Sequence, residues 1–363
     1  MKKYKRKKTK VVKIGSVKIG GVNPIAIQSM TNTDTRSKRK TIKQINKLEL
    51  EGCEIIRIAV PDIEAARCVQ KIKKKINIPL VADIHYDYRL AIESVKQGAD
   101  KIRINPGNIG EKWKIEEIVR ICKERRIPMR VGANAGSIKK EYIEKFGGVK
   151  PEALIQSVVD EIKILEDLDF ESIVVSIKSS DVRTMVDANR IFSEEYNYPL
   201  HIGVTEAGPP GGRGEVYSAV GIGILLEEGI GDTIRVSLTG DPSNEIMAAR
   251  SILSSLKLRK VGPRIISCPT CGRLQFDLEK YLKEIEAESR IISTPITIAV
   301  MGCSVNGPGE AKEADIGIAG GKKAAVIFKK GKKIATVKEK DIMKTFMLEL
   351  EKLLKEEPDG NEN

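Results

Sequence analysis

The sequence has little histidine: two residues in 363, His85 and His201, and none beyond. A structural zinc site normally takes four Cys or His ligands, and the C-terminal third offers three cysteines and no histidine. Long apolar runs are missing too. The longest, "AVGIGILL", is far too short to span a bilayer, and no signal-peptide pattern follows the first residues, so a cytoplasmic protein with no membrane partner is expected.

Charge of one sign is also scarcer than the total suggests. The net charge is +13, but the first thirteen residues, "MKKYKRKKTKVVK", carry eight of the basic groups and leave +5 on the rest. Residues 1–13 therefore read as a basic, flexible arm that solubilises the chain, with no nucleic acid required as partner. Residues 357–363, "PDGNEN" and the glutamate before it, read as a frayed end. Six cysteines do not form a disulfide framework in a reducing compartment. Cys53, Cys68 and Cys122 stand alone beside apolar residues, where a small buried hydrophobe is the usual role.

Strand-like runs are present in a regular series. "PIAIQSMT", "EIIRIAVP", "PLVADIH", "KIRINPGN", "PMRVGANA", "SIVVSIKS", "PLHIGVTEA" and "TIRVSLTG" alternate with amphipathic stretches such as "PEALIQSVVDEIKILEDL". Eight βα units predict an α/β fold, a (β/α)8 TIM-type barrel over residues 14–258, rather than a doubly wound sheet, because no G-x-G-x-x-G follows the first strand. Residues 259–356 change pattern: a cysteine turn, a helix, short strands and a final helix predict a smaller α+β domain.

Four of the eight strands carry an arginine: Arg57, Arg103, Arg130 and Arg235. Polar residues of the same side-chain parity follow on the same strands: Asn105, Asn134, Ser237 and Thr239. Asp83 and His85 share a face, as do Ser176 and Lys178. For any one arginine, pairing with Asp83 or Glu206 would account for it as well. For four together it does not, and a guanidinium suits bidentate contact with phosphate, so a pocket for a small phosphorylated or diphosphorylated substrate is expected at the barrel mouth. The loops "TEAGPPGGRGE" and "LTGDPSNE" follow the last two strands, where barrels commonly hold phosphate. His201 falls inside a strand and suits a hydrogen-bonded interior residue as well as a catalyst.

Cys268 and Cys271 in "ISCPTCGRLQ" and Cys303 in "VMGCSVNGPGEA" need another explanation. A thioredoxin-like pair leaves Cys303 unused, and a zinc ribbon would need a second knuckle. Three thiolates can hold three irons of a 4Fe-4S cluster. The turn after Cys303 offers Glu310 as an exchangeable oxygen ligand for the fourth.

Taken together, "PIAIQSMTNTDT", "VADIHYDYRLA", "KIRINPGNIG", "RVGANAGS", "GVTEAG", "SCPTCGR" and "MGCSVNGPGEA" resemble the 4-hydroxy-3-methylbut-2-enyl diphosphate synthase family, from about residue 10 to residue 350. The resemblance implies reductive ring opening and dehydration of 2-C-methyl-D-erythritol 2,4-cyclodiphosphate, in the two-domain bacterial form. One 4Fe-4S cluster per chain would be ligated by Cys268, Cys271, Cys303 and Glu310. Arg57, Arg103, Arg130, Asn105, Asn134, Ser176 and Lys178 match positions that would hold the substrate, and Ser237 joins them by its place on the last strand. Glu206 is the leading acid/base candidate, with Asp83 and His85 behind it. The resemblance also implies a head-to-tail homodimer and a ferredoxin or flavodoxin donor, for which "FKKGKK" is a conceivable landing site. Two rivals remain at this point: a zinc-containing nucleic-acid-binding module, and a non-redox barrel transferase for a phosphorylated pterin-like substrate.

Overall fold

The alternation of β-branched runs with amphipathic helices produces a parallel barrel in the computed structural model, which describes residues 5–205, 208–303 and 312–356. The chain forms two compact units, Met1–Ile252 and Leu253–Asn363. Their division falls inside the helix Pro242–Ser255, a few residues before the 258/259 boundary expected from the change of pattern.

The first unit begins with a hairpin, β1 (Val12–Ile14) and β2 (Val17–Ile19). The barrel strands follow: β3 (Ala26–Met30), β4 (Ile55–Ala59), β5 (Leu80–Asp83), β6 (Lys101–Arg103), β7 (Met129–Asn134), β8 (Ile173–Lys178), β9 (His201–Ile202) and β10 (Thr233–Ile234). Each expected run supplies one strand. They hydrogen-bond in the order β8-β7-β6-β5-β4-β3-β10-β9, and a parallel bridge from Val175 to Leu200 brings β8 to the start of β9, closing the ring.

Several βα joints are set by an aspartate whose carboxylate accepts a first-turn N–H. Asp62 accepts from Ala65, Asp87 from Arg89 and Asp181 from Thr184. The helix Ile63–Lys73 then buries Ala65, Ala66, Cys68, Val69 and Ile72 on one face, which gives Cys68 the structural role expected of it.

Inside the barrel the period-two alternation stacks side chains in layers. The lowest layer is apolar: Ala26, Ile55, Val81 and Val174 pack against Val12, Ile14 and Ile19 of the hairpin. Above it lies a polar layer, where Lys101 Nζ is 3.4 Å from Gln28 Oε1 and His201 Nδ1 is 2.6 Å from Thr233 Oγ1. The arginines come next, at the strands' C-terminal ends.

The basic N-terminal segment is a correction to the sequence reading. Residues 5–13 are not a free arm: Lys7 N–H donates to Gly229 O at 2.9 Å, Lys10 N–H to Asn197 O at 2.7 Å, and Arg6 pairs with buried Asp232 at 2.6 Å. Val12 and Ile14 are buried. The signal was present as two alternating triplets, "VKI" and "VKI", joined by Gly15-Ser16, a two-residue hairpin turn with Gly15 at φ +55°.

The second unit holds a five-stranded sheet ordered β11 (Arg264–Ser267), β12 (Thr297–Met301), β13 (Ile316–Gly321), β14 (Ala324–Lys329) and β15 (Lys332–Lys338). The first three run parallel and the last two fold back as hairpins. Helices Leu278–Ser289 and Ile342–Glu356 cover one face around Ile285, Ile298, Ile318, Ile327, Phe346 and Leu350. Strand β11 was not expected; it is four residues long and none of them is fully buried, so it shows no alternation.

Candidate functional site

Because every barrel strand points the same way, the arginines that share inward parity arrive at one end. A cavity there is lined by Arg57, Arg103, Arg130, Gly132, Asn134, Ser176, Lys178, Thr205, Arg235 and Ser237. Seven expected site residues (Arg57, Arg103, Arg130, Asn134, Ser176, Lys178 and Ser237) thus meet around one space. Gly132 and Gly203 let the strands close up beneath it: a Cβ on Gly132 would sit 2.1 Å from Ser176 O, and one on Gly203 2.3 Å from Arg235 O.

Five basic side chains in this cavity face two carboxylates among the described residues. Asp83 lies 3.8 Å from Arg57 Nε and 3.4 Å from Arg103 Nη1, with His85 Nε2 at 3.5 Å. His85 Nδ1 is 3.3 Å from Arg103 Nη1, so the exposed imidazole leans on the same pair. Glu245 takes Arg235 Nη2 at 3.2 Å while its other oxygen accepts from Ser29 Oγ at 2.8 Å. Arg130, buried to 3% exposure, has no hydrogen-bond partner for Nη1.

The electrostatics follow from that imbalance. Burial, with Arg57 and Arg103 adding to it, pushes Arg130 well below an ordinary arginine. Lys178 is lowered in the same way, by burial and then by Arg130, Arg235 and Arg57. Burial also brings Arg57 down to about 10, against the opposing pull of Asp83. Burial raises Asp83, but Arg57, the hydrogen bond with His85, Arg103 and Arg130 outweigh it and hold the carboxyl below the usual range. An enclosed site this rich in unneutralised cations is built to take an anion.

Asn105 is placed elsewhere. It caps the short helix Pro106–Ile109, its side-chain oxygen accepting the Asn108 N–H at 3.2 Å, and it is not part of the cavity wall. His201 lies fully buried in the layer beneath. Glu206, the leading acid/base candidate, lies outside the described residues, as does Glu310.

Sequence reasoning missed Glu245, Thr205 and Glu161. Glu245 sits in the first turn of the helix after β10, in the quoted "LTGDPSNE", where a carboxylate can reach back over the strand end. Glu161 is buried behind β7 and accepts the Gly132 N–H at 3.0 Å. Burial pushes its carboxyl up to about 7, against the Gly132 hydrogen bond and Arg103. A carboxyl raised on folding binds its proton more tightly in the folded state, so the stability it contributes is full at pH 4.5 and below and is lost as pH rises to 7. The loss comes to about 3 kcal/mol at 1.36 kcal/mol per pH unit. Glu161→Gln is therefore expected to unfold at higher urea than the parent at pH 8 and at nearly the same urea at pH 4.5; equal midpoints at pH 8 would remove this assignment.

In the second unit, Cys268 follows β11 and Cys303 follows β12, its parallel neighbour, while exposed Cys271 lies three residues beyond Cys268. Gly302 N–H donates to Cys268 Sγ at 3.1 Å, so the two strand-end cysteines stand side by side. All are free thiols. Among the described residues no three Cys, His, Asp or Glu side chains are drawn close enough together to hold a single ion. The donor set, three soft thiols at one end of a sheet with no histidine, nevertheless suits iron–sulfur ligation better than a structural zinc site.

Fold and site together define a class: an α/β barrel protein with a mouth for a small anion, carrying a separate cysteine-bearing unit. Residues 9–250 match the GcpE TIM-barrel domain and residues 264–352 the GcpE protein C-terminal domain. The chain belongs to the GcpE family. It is 56% identical over 352 residues, 97% of this chain and 99% of the other, to a Caldanaerobacter subterraneus protein named 4-hydroxy-3-methylbut-2-en-1-yl diphosphate synthase (flavodoxin). Proteins of the same name from Thermodesulfovibrio yellowstonii (53%, covering 96% of this chain and 99% of that one) and Clostridium perfringens (55%, 93% and 97%) are similar over nearly their full lengths.

Proposed function

We propose that this chain is a 4-hydroxy-3-methylbut-2-en-1-yl diphosphate synthase that opens a cyclic diphosphate reductively, with flavodoxin as its electron donor. The observation that carries the reading is the convergence of Arg57, Arg103, Arg130, Lys178 and Arg235 on one cavity, with Asp83 and Glu245 as the carboxylates that form ion pairs with them among the described residues. Family membership supplies the reaction; the zinc-module reading finds no support in it and leaves these cations without a use.

In the barrel, the guanidinium groups bind diphosphate oxygens, and Asp83 and Glu245 hold Arg57, Arg103 and Arg235 in position to do so. Lys178, lowered by burial and then by its cationic neighbours, has its charged form favoured when an anion enters beside it. Ser176, Asn134 and Ser237 offer neutral hydrogen bonds for the rest of the substrate. A 4Fe-4S cluster held by Cys268, Cys271, Cys303 and Glu310 would pass on, one at a time, the two electrons that flavodoxin provides. Glu206 is the leading candidate for the group that supplies the proton accompanying loss of water, with His85 behind it; Asp83, held ionised by Arg57 and Arg103, gives electrostatic support instead. The head-to-tail homodimer implied by the resemblance would bring one chain's thiols to its partner's barrel; a fully active monomer would rule it out.

Iron and sulfide analysis with visible and EPR spectroscopy on anaerobically purified protein tests the reading. Iron near four per chain by the cluster stoichiometry, with a reduced-state signal that changes when the cyclic diphosphate is added, is the expected result. A colourless zinc protein, even after anaerobic reconstitution, would overturn it.

A further inference from the structure

We propose that a lysine-rimmed groove at the cysteine end of the second unit's sheet docks the acidic face of the flavodoxin donor, an inference that rests on the synthase reading above. The groove, about 760 Å³, is lined by Lys280, Lys323, Lys338 and Lys340, with Glu284 and Glu339 as its acidic members. Half-buried Met343 and the ring of Tyr281 form its apolar floor. All four lysines are exposed, and none is tied to a carboxylate among the described residues. Lys280 Nζ lies over the Tyr281 ring at 5.5 Å, and a rim of lysines without carboxylate partners over an apolar floor suits a protein surface of opposite charge.

Strand register fixes where this groove lies relative to the thiols. Met301 of β12 pairs with Ala319 of β13, so Cys303 and Gly321, each two residues further on, stand level. Gly321 pairs with Ala324, and Ala324 with Lys338. Lys338 is thus level with Cys303 and three strands across, about 14 Å at 4.8 Å per strand. Lys323 occupies the β13–β14 turn at the same end. The chain between Cys271 and Lys280 bridges the gap: Gln275 N–H donates to Gly302 O at 3.1 Å, and Phe276 packs on Gly320.

The other basic cluster, Lys329, Lys330, Lys332 and Lys333 of "FKKGKK", lies at the opposite end. Lys329 pairs with Ile316, the first residue of β13, about 17 Å along the strand from Gly321 at 3.4 Å per residue. Lys329 is also engaged by Glu356 at 2.6 Å. Of the two lysine groups, only the groove lies at the thiols' end of the sheet.

The test compares full-length reconstituted enzyme with Lys323→Glu/Lys338→Glu/Lys340→Glu and with Lys330→Glu/Lys332→Glu/Lys333→Glu. Each is assayed with reduced flavodoxin and with dithionite, and flavodoxin binding is titrated directly. The groove variant is expected to raise the donor KM and Kd roughly tenfold and to flatten their dependence on salt, with dithionite-driven turnover unchanged. The far-end variant should match the parent. Unchanged donor binding in the groove variant, or a loss confined to the far-end variant, would overturn the assignment. A parent that binds flavodoxin through the groove yet converts no cyclic diphosphate with either reductant would sink the synthase reading and leave the docking surface standing.

Discussion

Replacing Cys303 with alanine is expected to leave the chain folded and abolish turnover. Cys303 is buried at the end of β12 beside Cys268, and its substitution removes one of only three thiols in the second unit. Loss of an outer-shell partner alone costs a metal site about 10–100-fold, and loss of a proposed direct ligand should exceed that, with iron content falling in parallel. The fold itself rests on the Ile285, Ile298, Ile318 and Phe346 core, which the substitution does not touch. The internal control is Cys122→Ala. Burial pushes that thiol up to about 12, which makes it a poor ligand and a poor nucleophile, so iron content and turnover should stay at parental levels. An iron-replete, active Cys303→Ala protein would refute the ligand assignment.

Arg130→Met is expected to separate stability from function. Arg130 sits fully enclosed among Arg57, Arg103 and Arg235, with one carboxylate, Asp83, in its favour. Exchanging a buried, poorly compensated ion for an apolar side chain of similar length often stabilises a protein by about 1–4 kcal/mol. The same exchange removes a bidentate phosphate donor, and hydrogen bonds to charged groups are worth about 1.5–3 kcal/mol each. The variant should therefore melt at a higher temperature than the parent without ligand, gain less from added diphosphate, and lose about 100-fold in kcat/KM, equivalent to ~2.7 kcal/mol at 1.36 kcal/mol per tenfold. A destabilised variant with intact kcat/KM would make Arg130 a structural residue.

Much of this arrangement is legible in the sequence, and the reasons differ by residue. Parity along a strand is a local property, so Arg103 or Lys178 could be assigned to the barrel interior from its own heptapeptide. Glu245 could not, because its pairing with Arg235 depends on how a helix returns over the strand end. Asn105 was legible in another sense than the one taken: asparagine followed by proline is a helix N-cap with proline at N1, and the structure uses it so. In the N-terminal segment a charge count obscured a two-residue hairpin that period-two alternation would have revealed. Strand β11 carries no such period, since none of its residues is fully buried.

The hairpin of β1 and β2 has a kinetic consequence. Val12, Ile14 and Ile19 cork the floor of the barrel, so a molecule held by the arginines has one doorway for arrival and departure. Product leaving through that doorway meets the next substrate on its way in, and the two contend for the same guanidinium groups. Inhibition by product should accordingly be purely competitive against the cyclic diphosphate.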